Sequence, residues 1–202
     1  MKLHTLFLTI LTGCLLSLNA LAAPTQPTVI KGKHTMVKLH TNHGTITLEL
    51  YPEKAPVTVK NFLDYVNSGF YTNTIFHRVI SKFMVQGGGF EPGMKQKAVK
   101  APIINEAANG LKNDYLTIAM ARTSDPHSAT AQFFINTNEK NNNFLDHTAP
   151  NVNGFGYCVF GKVIAGEEVV VRINNQATGN RAGHGDVPVE DVVISKAEVV
   201  TE

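Results

Sequence analysis

Short runs in which apolar and polar residues alternate recur along most of this chain. The first two, residues 37–41 and 45–50, flank the turn residues Asn42-His43-Gly44 and predict a β-hairpin with one face in water. Six further strands are predicted, at residues 75–80, 83–86, 115–121, 132–136, 156–164 and 191–199. Many short strands of this kind are typical of an antiparallel barrel or sandwich.

Only two segments have the period of an amphipathic helix. In residues 55–67 the apolar positions fall on one face, with Pro56 near the start and Gly69 just past the end. Residues 167–174 open on acidic residues and place three apolar side chains inward. With no repeat and no internal boundary, the sequence predicts one mainly β domain over residues 35–202.

The N-terminus predicts an exported protein. Lys2 precedes an apolar run over residues 6–18, and Ala20-Leu21-Ala22 has the small-x-small pattern that signal peptidase cuts after. We therefore expect residues 1–22 to be a signal peptide, residues 23–34 a flexible leader and the periplasm the destination. One alternative stays open: Leu11-Thr12-Gly13-Cys14 is similar to a lipobox, whose acylated cysteine would tether the chain to a membrane.

The composition excludes several classes of function. Without Lys2, 17 lysines and arginines stand against 16 acidic residues, so no nucleic acid or other polyanionic partner is predicted. The histidines are scattered and Gly87-Gly88-Gly89 lacks the residues of a phosphate loop, so we expect no metal and no cofactor. Cys158 lies in an apolar run and is predicted to be a buried, inert thiol. The polar run at residues 141–143 is interpreted as a solvated loop.

The strand at residues 131–136 has two different faces. Period 2 sends Ala131, Phe133 and Ile135 to one side and Gln132 and Phe134 to the other. If the first set fills the core, the second faces either a ligand pocket or a covering loop, and the pattern alone does not decide between them.

Arg78 interrupts another apolar strand. Period 2 places it on the same face as Phe76 and Ile80. Arginine is almost never buried unpaired, so that face is either wet or holds an acidic partner. A functional guanidinium and a structural salt bridge are both consistent with this pattern. The three glycines that follow Gln86 predict a bulge or tight turn.

Four motifs together resemble a known family. They are Phe76-His77-Arg78-Val79-Ile80, Phe83-Met84-Val85-Gln86-Gly87-Gly88, Ala131-Gln132-Phe133-Phe134-Ile135 and Val159-Phe160-Gly161-Lys162-Val163. Their order and spacing over residues 36–200 resemble the cyclophilin family of peptidyl-prolyl isomerases. The signal sequence and residues 143–146 are most similar to its exported bacterial branch. The resemblance implies a closed eight-stranded antiparallel β-barrel capped by two α-helices, with a binding groove on its outer surface.

The resemblance also implies a site. Arg78 would be catalytic, as the donor that stabilises the twisted transition state without a metal or cofactor. The residues implied to bind substrate are Phe83, Met84, Gln86, Ala121, Arg122, Gln132, Phe134, Phe144, Leu145 and Tyr157. Of these, the proline ring would contact Phe83, Met84, Phe134 and Leu145. The two glutamines would orient Arg78 and bind the substrate backbone, while Ala121 and Arg122 would pair with an extended peptide.

Two residues depart from the commonest eukaryotic pattern of the family. Phe144 stands where a tryptophan is usual and Tyr157 where a histidine is usual. Loss of the indole N–H implies weak binding of cyclosporin, whereas turnover of prolyl peptides should persist.

The expected function is isomerisation of X-Pro bonds in exported proteins as they fold, by a monomer whose partners are proline-containing polypeptides. Two alternatives remain open: a chaperone that holds proline-containing segments, with catalysis incidental, and a surface adhesin built on the same fold.

Overall fold

The computed structural model describes residues 35–140 and 142–200. The predicted signal peptide and leader, residues 1–22 and 23–34, lie outside the described residues. The strands are β1 Thr35–Thr41, β2 Gly44–Leu50, β3 Thr74–Ile80, β4 Met84–Gly87, β5 Phe90–Glu91, β6 Lys95–Gln96, β7 Thr117–Met120, β8 Phe133–Asn136, β9 Val159–Ala165, β10 Thr178–Arg181, β11 His184–Pro188 and β12 Val193–Val200. The helices are α1 Pro56–Asn67 and α2 Glu167–Asn174, and two 3-10 turns cover Ala107–Asn109 and Asn143–Leu145.

Eight of these strands form a closed barrel in the order β1-β12-β3-β4-β8-β7-β9-β2, and every neighbouring pair is antiparallel. Each of the eight overlaps a strand predicted from the sequence. The predicted mainly β fold is therefore confirmed, and of the two architectures that the pattern allowed, the barrel is the one observed.

The barrel interior is solid. Its strands alternate, so that every second side chain, such as Ile118, Phe133 and Phe160, is fully buried in one apolar cluster. Aromatic rings meet edge to face within it, with the centroids of Phe62 and Phe133 lying 5.7 Å apart. Because side chains fill the interior, a ligand has to bind on the outer surface.

Both predicted helices are confirmed, and each buries its apolar stripe on this core. Helix α1 contributes Phe62 and Tyr65 among others, and α2 contributes Val170 and Ile173. Within the part of the chain that the structure describes, no helix is long and apolar enough to cross a membrane.

The predicted face of Arg78 is wrong in part. Phe76 pairs with Gly87 and Arg78 with Gln86, so His77 is an extra residue in β3 and forms a β-bulge. The bulge reverses the alternation: Phe76 joins the interior, whereas Arg78 and Ile80 point outward. Arg78 and Phe76 therefore lie on opposite sides of the sheet.

Two small hairpins were not predicted, β5–β6 and β10–β11. Residues 178–186 contain three glycines and no run of alternating apolar residues, so the period gives no strand signal there. The β10–β11 turn instead depends on local conformation, with Ala182 and Gly183 both at positive φ.

Candidate active site

The outer faces of four neighbouring barrel strands carry a second apolar cluster. Strands β4, β7, β8 and β9 contribute Met84, Ala119, Phe134 and Val159, and Leu145 of the second 3-10 turn packs on them. The predicted division of β8 is confirmed: Phe133 faces the interior, whereas Phe134 belongs to this outer cluster.

A cavity of about 180 Å³ opens on this cluster. It is lined by Arg78, Phe83, Met84, Gln86, Ala121, Arg122, Phe134, Leu145 and Tyr157. The structure thus brings nine of the eleven residues implied by the resemblance to one surface depression. The cavity combines an apolar floor with a cation at its edge.

One wall of the cavity is held by stacked side chains. The rings of Phe134 and Tyr157 meet edge to face with centroids 5.6 Å apart, and the Arg122 guanidinium lies 4.4 Å from the centre of the Tyr157 ring. Arg122 Nε donates to the Gly156 carbonyl at 3.0 Å, which fixes its direction. The Ala121 amide donates to the Gln132 carbonyl at 3.0 Å, which ties this side of the cavity to the residue that precedes β8.

Arg78 is half-exposed and lies beside a carboxylate. Its Nε is 3.5 Å from Oδ2 of Asp186, on β11 of the unpredicted hairpin. The resemblance implied that Gln86 and Gln132 would orient Arg78. Instead, Gln86 Nε2 donates to Gln132 Oε1 at 2.9 Å, and among the described residues neither side-chain amide is hydrogen-bonded to Arg78. Both readings of Arg78 thus hold in part, because it has an acidic partner and also lines the cavity.

Two expected site residues lie outside this cavity. Phe144 is 73% exposed and stacks on Phe83 with ring centroids 5.6 Å apart, so it extends the rim. Gln132 lines a second cavity, which shares Arg78 and Gln86 with the first.

The three glycines after Gln86 form the predicted turn. Gly88 has a φ of +81°, a conformation that glycine adopts without strain. A Cβ on Gly89 would lie 2.6 Å from the Gln132 side chain. The bare backbone here therefore lets Gln132 approach the strand that carries Gln86.

A buried amide network positions one side of the cavity, and sequence reasoning missed it. Asn142 is fully buried and donates to Asn136 Oδ1 and to the Phe83 carbonyl. Asn136 in turn donates to Asn113, whose side chain binds the Leu145 carbonyl. The interpretation of residues 141–143 as a solvated loop is therefore wrong for Asn142, while Asn141 lies outside the described residues. A side chain that serves as an internal hydrogen-bonding hub has no distinct pattern in the sequence.

Two buried titratable groups lie near the site or beneath it. Burial lowers the pKa of His77 to about 4, against smaller opposing effects of the Ile75 carbonyl and Gln132. Burial raises the pKa of the Cys158 thiol to about 11, and Cys158 is 2% exposed. The prediction that Cys158 is buried is confirmed, and its low reactivity stays a prediction.

Comparison with protein families gives one match over nearly all of the described chain. The family model described as cyclophilin type peptidyl-prolyl cis-trans isomerase matches residues 36–199. Peptidyl-prolyl cis-trans isomerase B of Escherichia coli K12 is 60% identical over 164 residues, which cover 81% of this chain and 99% of that protein. A peptidyl-prolyl cis-trans isomerase of Acinetobacter baylyi is 50% identical over 190 residues, 94% of this chain and 93% of its own.

Solved structures are similar as well. A cyclophilin type isomerase of Cryptosporidium parvum, crystallised in the presence of the dipeptide Ala-Pro, superposes with a TM-score of 0.67. It is 29% identical in sequence, and the match covers 83% of this chain and 99% of that one.

Proposed function

Because this chain belongs to the cyclophilin-type peptidyl-prolyl cis-trans isomerases, we propose that it isomerises X-Pro bonds in exported proteins as they fold, using the cavity beside Arg78. The isomerase activity follows from the family and from the named relatives. The assignment of Arg78 as catalytic residue and the cellular setting are the proposed parts.

The reaction needs no covalent step. An X-Pro bond resists rotation with a barrier of about 20 kcal/mol because amide resonance is lost on twisting. In the twisted state the prolyl nitrogen regains its lone pair, and a donor aimed at that nitrogen stabilises the twisted state over either planar one. Arg78 carries such donors at the edge of the cavity. Catalysis is then differential binding of the transition state.

The apolar floor of the cavity would hold the proline ring of the substrate in one position. Phe83, Met84, Phe134 and Leu145 line a space of about 180 Å³, which suits a proline ring. With the ring fixed there, rotation moves the chain that precedes proline while the prolyl nitrogen stays near Arg78. The convergence of one guanidinium and this apolar floor is the observation that carries the assignment.

The test is a proline-limited refolding assay with wild type, Arg78→Ala and Arg78→Lys. Removing one preorganised donor costs roughly 100-fold in kcat, and Lys keeps the charge but loses the planar fork, so both variants should fall well below wild type. Arg172, which is exposed on α2 and donates to the His43 carbonyl, provides the matched control Arg172→Ala. Equal acceleration by Arg78→Ala and wild type would exclude the role given to Arg78.

The same variants separate catalysis from chaperone binding. If Arg78→Ala suppressed aggregation of a proline-rich client as well as wild type does, while losing isomerisation, the holding function would be the better description.

Export is tested by cell fractionation with intact-mass measurement of the mature protein. A mass with Ala23 as first residue supports the signal peptide and rules out acylation of Cys14, whereas an uncleaved chain in the cytoplasm overturns export.

A further inference from the structure

A second cavity lies beside the first, with about 380 Å³ of space. It is lined by His77, Arg78, Gln86, Phe90, Gln132, Gly183, His184 and Gly185. Arg78 and Gln86 belong to both cavities, so a residue close to a proline bound in the first could place its side chain in the second. An extended chain advances about 3.3 Å per residue, so the side chain that reaches it belongs to a residue within two positions of the proline.

The lining of this cavity is rich in hydrogen-bond donors and has no acidic side chain among the described residues. It presents one guanidinium, two imidazoles and two side-chain amides. Asp186 lies 3.5 Å from Arg78 Nε but does not line this cavity. A substrate lysine or arginine side chain in this cavity would meet the positive charge of Arg78 and no carboxylate on the lining.

Three packed rings form one wall of the cavity. Phe90 packs between His77, at a centroid distance of 4.6 Å, and His184, at 5.2 Å. His77 is only 5% exposed, and its Nδ1 makes no hydrogen bond of ordinary geometry. Because Nδ1 itself is fully buried, a ligand in the cavity meets the packed rings and not this nitrogen.

We infer that this cavity is a specificity subsite for an acidic side chain, aspartate or glutamate, next to the isomerised proline. Arg78 supplies the positive charge, and His184 and Gln132 supply hydrogen-bond donors. The inference rests on the proposed function, since it needs the proline to sit in the neighbouring cavity.

The test uses proline peptides capped at both ends, so that a side chain carries the only carboxylate. Glutamate, glutamine or lysine is placed at each of the two positions on either side of proline, one at a time, and kcat/KM is measured at low salt. At one position the glutamate peptide should exceed the lysine peptide about two- to fivefold, the range of an exposed ion pair. Salt should reduce that ratio because it screens exposed charges.

Variants of His184 test whether the preference for glutamate over lysine arises in the second cavity. His184 is exposed and lies outside the proline cavity, so each variant is judged by its ratio of glutamate to lysine turnover and not by its absolute rate. His184→Lys should widen the preference for glutamate, and His184→Asp should reverse it in favour of lysine. His43→Asp, which makes the same charge change in the β1–β2 turn outside both cavities, should leave the ratio unchanged.

The outcomes separate the two proposals. Equal rates for the glutamate and lysine peptides at every position, or a ratio that does not respond to His184→Asp, would overturn the subsite and leave the isomerase intact. Failure of wild type to isomerise even the glutamine peptides would overturn the proposed function, and the subsite with it.

Discussion

Arg78 is the residue on which the proposed chemistry depends, and its surroundings differ from those that the family resemblance implied. The resemblance gave Gln86 the task of orienting the guanidinium, but Gln86 is hydrogen-bonded to Gln132. Asp186 is the carboxylate that lies against Arg78, at 3.5 Å from Nε. We therefore propose that Asp186 positions the guanidinium whose donors are proposed to meet the prolyl nitrogen.

Asp186→Asn should therefore lower kcat about two- to fivefold with little change in KM, because a half-exposed ion pair contributes only up to about 1 kcal/mol. The change should shrink at high salt, which already weakens the pair. Steady-state kinetics at two ionic strengths measure both effects. Asp64→Asn breaks a comparable exposed pair with Lys60 on α1 and should change neither constant. A rise in KM with unchanged kcat would show that Asp186 acts on binding alone.

Phe144 sets the expected affinity for cyclosporin. Its ring is 73% exposed and stacks on Phe83, so a larger ring can be accommodated there without displacing the core. Phe144→Trp adds an indole N–H donor and should tighten cyclosporin binding about two- to tenfold, the effect of one added hydrogen bond. Calorimetric titration measures it, with Phe144→Leu as a control that adds no donor. Equal affinities of wild type and Phe144→Trp would remove the explanation based on the missing indole.

The residues of the site divide into those that sequence could predict and those that it could not. Period 2 alone placed Phe134 on the face opposite the buried stripe, and the family resemblance was needed to interpret that face as a pocket. Arg78 was noticed as an anomaly, but its true face depended on a bulge at His77 that no local pattern reveals. Asp186 was missed because a half-exposed carboxylate in a glycine-rich loop has an ordinary sequence context.

Among the elements, helix α1 shows how distant residues complete a local structure. Pro56 begins the helix, but Ala55 at the N-cap has no side-chain hydrogen bond and the first turn carries no acid. Glu106 supplies the missing acceptor: its carboxylate accepts from the amides of Val57 and Thr58 and from the Thr58 hydroxyl. The sequence predicted the helix from its apolar stripe and could not predict a cap located about 50 residues away.

Glu106→Ala should lower the free energy of unfolding by about 1–2 kcal/mol, the usual effect of removing an N-terminal cap. Denaturant titration gives this value, and kcat per folded molecule should stay near wild type because Glu106 does not line the cavity. Glu190→Ala removes an exposed carboxylate elsewhere and serves as the control. A Glu106→Ala variant as stable as wild type would show that water caps the helix equally well.

At the scale of the whole molecule, alternation predicted eight barrel strands but neither their order nor their closure. The resemblance implied the closure and the structure gives the order, since period 2 defines faces and not neighbours. Neither the alternation pattern nor the family resemblance predicted the β10–β11 hairpin. This hairpin nevertheless brings Asp186 and His184 to the edge of the site. The barrel thus provides the apolar floor of the cavity, while a small added hairpin places a carboxylate and an imidazole near Arg78.

The pH dependence of global stability should report on His77, which is packed between the barrel and Phe90. Its pKa is about 4 in the folded protein and about 6.5 when unfolded, so the unfolded chain binds the proton more readily. Its contribution is fully present above pH 6.5 and is lost as pH falls towards 4, by at most about 3 kcal/mol. Chemical denaturation between pH 4 and 7 should show this slope in wild type. His77→Gln should flatten it, and His43→Gln should not. An unchanged slope in His77→Gln would place the acid sensitivity on other groups.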